Sequence, residues 1–163
     1  MIKNNVRALL YHILIIILST LYLILLVSLG PYIGGLIRTP IVRGLMCIIF
    51  AGTYIYAGSR LNIRHRIKYD FQAGLLIALI GLILWGISVF QTGLDLRPVN
   101  EELAYLYIPL NIFLNPMLQI GFLLDIEFNQ LVRLIACFIP GLLMGIGIKF
   151  KRYKYSRRVQ KSV

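Results

Sequence analysis

Apolar positions along this chain come in long blocks, not in the alternation of a strand or the three-to-four spacing of a half-buried helix. The first block covers about 8–29, and from Ile13 to Leu29 only Ser19, Thr20 and Ser28 interrupt it. A helix of about 20 residues covers the roughly 30 Å hydrocarbon core of a bilayer, so the block predicts a membrane span. Gly30 and Pro31 are stop signals at its end, and a short loop is expected from Gly30 to Pro40. The block is too long for the apolar region of a signal peptide and lacks a small-residue cleavage site, so it reads as a retained span. The second block, about 42–58, is shorter and carries Gly44, Gly52 and Gly58, with Tyr54 and Tyr56 near its end. That composition fits a closely packed span with an interfacial aromatic belt. The third, 71–90, is uncharged throughout, with Trp85 toward its far end. The fourth, about 130–148, has Pro140 in its middle and Arg133 about one turn inside its start. The pattern predicts an all-α integral membrane protein: one domain, 1–163, built as a four-transmembrane-helix bundle.

The segment 103–124 challenges that count. It is uncharged and long enough to span, but it holds Pro109, Asn111, Asn115, Pro116 and Gln119. A proline frees a backbone carbonyl, and lipid offers nothing to satisfy it. A single crossing would also place the basic tail on the wrong side. The segment is therefore expected to be re-entrant or interfacial on the outer face, broken near Pro109 or Pro116. Asn111, Asn115 and Gln119 are spaced four apart and would form one polar stripe on a continuous helix.

Charge supplies the orientation. Lys3 and Arg7 precede the first span; Arg60, Arg64, Arg66 and Lys68 lie between the second and third. The tail 149–163 carries Lys149, Lys151, Arg152, Lys154, Arg157, Arg158 and Lys161. All three basic segments fall on one side if an even number of crossings separates them, and the positive-inside rule makes that side cytoplasmic. Arg38, Arg43, Arg97 and Arg133 fall on the other side, with Asp95, Glu101, Glu102, Asp125 and Glu127; Asp70 alone of the acids lies with the cations. Composition agrees: 59% of the 163 residues are hydrophobic and 14% charged, against about 25% charged in soluble domains. The net charge of +11 is thus read as orientation and as affinity for anionic lipid headgroups at the tail. Nucleic acid is not an expected partner, because no basic face remains once the spans are removed.

Candidate chemistry is sparse. Cys47 and Cys137 sit in apolar runs and read as small buried hydrophobes. His12 and His65 have no partner at helical spacing, and no set of ligands suits zinc or another metal. No catalytic constellation and no cofactor motif is present. The candidate outer site is Arg133 with Asn111, Asn115, Gln119, Asp125 and Glu127. An arginine near a span end needs either headgroups or a carboxylate such as Asp125, Glu127 or Asp95. Gly74 and Gly81 in the third span, and Gly141 and Gly145 in the fourth, are candidates for close helix packing.

The functional expectation is a small non-enzymatic membrane protein acting as an accessory or partner-binding subunit, with a membrane-protein partner or a second copy of itself. The alternative is a small-solute transporter or substrate-binding component with an outer site, since transporters place sites at broken helices. Heavy use of Ile, Lys and Asn fits an AT-rich bacterial genome, and hence a bacterial plasma membrane.

Overall fold

A computed structural model describes residues 2–37, 39–63, 70–93 and 101–160, and these are helical with no strand among them. Arg38, Arg64, His65, Arg66, Lys68, Asp95, Arg97 and Lys161 lie outside the described residues, and the side chains of Glu101, Glu102 and Arg158 are not among those described. The long elements are α1 (Ile2–Ile37), α2 (Pro40–Ser59) and α3 (Leu75–Thr92), the last entered through a 3-10 turn, Phe71–Gly74. A second 3-10 stretch, Glu101–Tyr107, leads into α4 (Ile108–Phe113) and α5 (Asn115–Leu123); α6 (Gln130–Ala136) and α7 (Ile139–Gln160) complete the chain. Four helical stretches are long and apolar enough to cross a bilayer: Ile2–Gly30, Pro40–Ser59, Phe71–Thr92 and Gln130–Arg157.

Gly30 and Pro31 do not end the first helix. Both lie inside α1, which runs on to Ile37. A mid-helix proline costs about 3 kcal/mol, yet residues 32–37 carry no Asn, Asp or Ser to stabilise a competing turn. The helix stops where such a group appears: the Thr39 amide and hydroxyl both donate to the Leu36 carbonyl, at 3.1 and 2.7 Å. Pro40 then opens α2 in its first turn, where a missing N–H costs nothing. Of the expected loop, residues 30–37 are helical, Pro40 opens α2, and Thr39 is the one described residue outside a helix. Pro140 acts as a starter too: the fourth span breaks at Cys137–Phe138, and α7 begins with Pro140 in its first turn. The basic tail is not a separate segment, since α7 continues through it to Gln160.

One end of the bundle is stitched by polar contacts. Asn4 donates its amide to the Asn62 carbonyl at 2.9 Å, and Asn5 accepts from the Leu76 amide at 3.2 Å. Lys151 donates to the Leu61 carbonyl at 2.7 Å, and Arg152 grips both oxygens of Asp70 at 2.9 and 2.7 Å. The start of α1, the end of α2, the start of the third span and the last turns of α7 therefore meet at this basic end. Successive long helices run antiparallel, and α3 ends at the far end.

The segment 101–123 enters and leaves by that far end. Tyr107 hydrogen-bonds Thr92 at the top of α3, and Asp125, just past α5, is paired with Arg43 in the first turns of α2. Between them the chain plunges inward. The Phe113 ring stands edge-on to His12 at 4.6 Å, and Leu114 is completely buried. There it turns by 98°. Pro109 and Pro116 sit in the first turns of α4 and α5, so each starts a helix and the bend falls between them at Leu114.

Packing rests on backbone approach. A methyl on Gly74 would sit 2.1 Å from the Gly141 Cα, and one on Gly145 would sit 2.4 Å from the Phe71 ring. Gly81 lies against Cys137 and Phe113. In the most extensive interface, α2 with α7, a Cβ on Gly58 would reach 2.1 Å from the Met144 carbonyl oxygen, and one on Gly147 would reach 2.0 Å from that of Ile55. Tyr54, expected in an interfacial belt, is fully buried and bonded to His12, whereas Tyr56 is exposed beside Arg60.

Candidate functional site

The far end of the bundle holds a cluster of buried polar groups centred on Arg133. Asn129 caps α6 by accepting the Val132 amide at 2.9 Å. This fixes the start of a short helix on which Gln130 and Arg133, three residues apart, share a face. Both point into the bundle. Arg133 is only 7% exposed and Gln130 1%.

The Arg133 guanidinium lies 4.7 Å over the Tyr107 ring. Its Nε and Nη1 are buried and find no hydrogen-bond partner among the described residues. Beneath it, polar groups form a directed chain. Gln130 Nε2 donates to the Tyr107 hydroxyl, the Tyr107 hydroxyl donates to Thr92 Oγ1, and Thr92 donates to the Ser88 carbonyl at 2.9 Å. The Trp85 indole donates to the Gln130 carbonyl at 2.9 Å and ties α3 to α6. Two acceptors remain unused, Gln130 Oε1 and Asn111 Oδ1. Asn111 follows Tyr107 by one helical turn.

The residues expected to form the site are only partly brought together. The amide stripe is split, because the bend at Leu114 separates Asn111 from the other two. Asn115 is fully engaged: it donates to Ser19 and Thr20 at 3.0 Å each and accepts from Gln119 at 3.3 Å. These two amides anchor α5 to the middle of α1. Asp125 is bound to Arg43 and not to Arg133. The Glu127 side chain is exposed. Gly74, Gly81, Gly141 and Gly145 all serve contacts within the chain.

Tyr107, Gln130, Arg43 and His12 were not singled out as partners in the sequence. Tyr107 and Arg133 lie far apart along the chain, and only the bent segment brings them together. A local signal did exist for two neighbours, since Asn111 follows Tyr107 by four residues and Arg133 follows Gln130 by three.

The chemistry on offer at the cluster is that of buried hydrogen-bond donors and acceptors around one cation. A guanidinium presents a planar fork of donors suited to a carboxylate or other oxyanion. The aromatic face below supplies about 1–2 kcal/mol of cation–π attraction, less than a desolvated charge needs. No group of three or more His, Cys, Asp or Glu suited to a metal occurs among the described residues. No family model, curated protein or solved structure matches this chain.

Proposed function

We propose that this chain is a multi-pass membrane protein, without enzymatic activity, that binds a small anionic solute at its outer end. Four long apolar helices support membrane residence, and their exposed surfaces are apolar too, with Leu14, Ile17, Leu21 and Ile24 on α1 and Ile83, Ile87 and Phe90 on α3. The basic end, with both termini, is the cytoplasmic one by the positive-inside rule. On this reading 103–124 is a re-entrant hairpin entering from outside, its irregular turn tolerated because protein surrounds it. A bacterial plasma membrane is the proposed location.

The observation that carries the solute reading is the buried, unmatched Arg133. A guanidinium held at membrane depth without a carboxylate is costly to maintain. A bound carboxylate would accept from Nε and Nη1, and a hydroxyl or amine on the same solute would donate to Gln130 Oε1. The test uses the purified full chain in mild detergent. Acetate, glutamate and phosphate are compared with chloride at matched ionic strength, and thermal unfolding is followed. At least one oxyanion is expected to stabilise the wild type, by about 2.7 kcal/mol at a hundredfold excess over Kd, and to leave Arg133→Met unmoved. Without ligand, Arg133→Met should be as stable as wild type or more so, because replacing a buried charge by an apolar side chain removes desolvation cost. A shift that persists in Arg133→Met, or no shift with any of the oxyanions, defeats the reading.

A second reading, an accessory subunit acting through helix contacts, is favoured by α1. Only 11% of its span is buried, against 50% for the fourth span. A methyl added to Gly30, Gly34, Gly35, Gly44 or Gly52 would meet nothing within 4 Å. Purification from membranes in mild detergent separates the readings: a stoichiometric membrane partner or a second copy supports this one, and a lone chain removes it.

A further inference from the structure

At the basic end, a groove of about 390 Å³ opens between the start of the third span and one face of α7. It is lined by Phe71, Ile146, Lys149, Phe150 and Tyr153. The four α7 residues are spaced at three and four, so they form a single helix face. Phe71 closes the other wall, and it can lie low against α7 because Gly145 offers no side chain there. Lys149, Phe150 and Tyr153 are all exposed, and Arg157 stacks on Tyr153 one turn further on, 4.5 Å from the ring centroid.

The groove straddles a chemical boundary. Below it, α7 is apolar through Ile148; from Lys149 onward cations recur within every three residues. The neighbouring acid, Asp70, is 1% exposed and neutralised by Arg152. Among the described residues, no free carboxylate competes for a ligand at this end. An apolar slot with a cation at its rim matches one class of molecule: a chain of methylenes ending in a phosphate.

We propose that this groove holds one anionic phospholipid of the inner leaflet, with an acyl chain against Phe71, Ile146 and Phe150 and its phosphate at Lys149. Aromatic side chains at this level suit the headgroup–acyl boundary, and basic pockets beside transmembrane helices on the cytoplasmic side suit anionic headgroups. The site differs from the general attraction of the basic tail for a charged surface, because it needs one lysine and one slot.

The proposal rests on the bilayer reading, and alkaline carbonate extraction keeps the two apart. A chain washed off membranes loses both, whereas a chain retained in membranes without lipid preference loses only the groove. The binding test is native mass spectrometry of the purified full chain with dioleoyl phosphatidylglycerol or dioleoyl phosphatidylcholine. One phosphatidylglycerol should be retained in preference to phosphatidylcholine. Lys149→Gln should cut that preference about five-fold, while Lys154→Gln, an equal loss of charge on a different face of the same helix, should leave it unchanged. Ile146→Trp fills the slot and should release both lipids; if it does not fold, Phe150→Gln removes the same wall from an exposed position. Equal losses in Lys149→Gln and Lys154→Gln overturn the site in favour of diffuse attraction. So does equal retention of the two lipids, binding that survives a filled slot, or complete displacement by glycerol 3-phosphate.

Discussion

Arg133 and Asp70 are both buried charges, and the fold treats them differently. Asp70 receives two hydrogen bonds from Arg152, whose side chain keeps about a quarter of its surface exposed, at 23%. Removing one member of such a pair strands the other. Asp70→Asn should therefore lower stability, by on the order of 1–3 kcal/mol because Arg152 retains access to solvent. The double variant Asp70→Asn, Arg152→Gln should recover part of that loss in thermal unfolding. Additive losses would mean that the pair is not coupled. Arg133 is the opposite case, a charge with an aromatic floor and no anion among the described residues. Asn115 belongs with Asp70. Its hydrogen-bonding groups are spent inside the chain, so Asn115→Leu should lower the unfolding temperature and loosen the contact of α5 with α1. Ser19 and Thr20 keep their bonds to the Ile16 carbonyl, at 2.9 Å each, which limits the cost to about 1–2 kcal/mol. No change in stability would place Asn115 outside the framework of the bend.

At the scale of elements, the crossing of α2 with α7 sets how closely the bundle can pack. Gly58→Ala or Gly147→Ala must push backbone against backbone, since the nearest atoms are carbonyl oxygens at 2.1 and 2.0 Å. Each should cost about 1–3 kcal/mol. Gly44→Ala and Gly52→Ala provide the contrast, because nothing lies within 4 Å of either position. They should gain up to about 1 kcal/mol from helix propensity alone. Thermal unfolding of the four variants reads the signs, and a uniform response would contradict the close crossing. The four apolar spans were legible in the sequence because a run of uncharged residues has few other uses. The interruption around Pro109 and Pro116 was legible for the same reason, since prolines and amides are costly where a helix must face lipid. Less was legible where the answer depended on a distant partner. Glycines in the second span signalled close packing, but only Gly58 makes the contact while Gly44 and Gly52 face open space, a distinction that needs α7 in place. The cation nearest to Asp125 in the sequence is Arg133, and nothing local points to Arg43 instead. Gly30 and Pro31 misled, as did the Gly34-Gly35 pair, because α1 stays helical through all four to Ile37.

For the whole molecule, the contacts of Asn4, Leu61, Asp70 and Arg152 gather the three basic segments at one end. The bent segment returns to the opposite end, beside Thr92 and Arg43. Among the described residues, Lys151 and Arg152 lie at one end with Asp70, and Asp125 lies at the other beside Arg43. Placed in a membrane, the basic pole should stay in the cytoplasm. Single cysteines test this in a background carrying Cys47→Ala and Cys137→Ala. Asn62 and Ser156 lie at the basic end, and Asn100, outside the described residues, falls in the acid-rich stretch of sequence after α3. In intact cells, a membrane-impermeant thiol reagent should label a cysteine at Asn100 and spare those at Asn62 and Ser156 until the cells are opened. Labelling at Ser156 and Asn62 but not at Asn100 would invert the molecule in its membrane and move Arg133 to the cytoplasmic face. Labelling at both Asn100 and Ser156, with Asn62 spared, would make 103–124 a true fifth crossing. That result would break the shared pole, because Arg152 could not then reach Asp70.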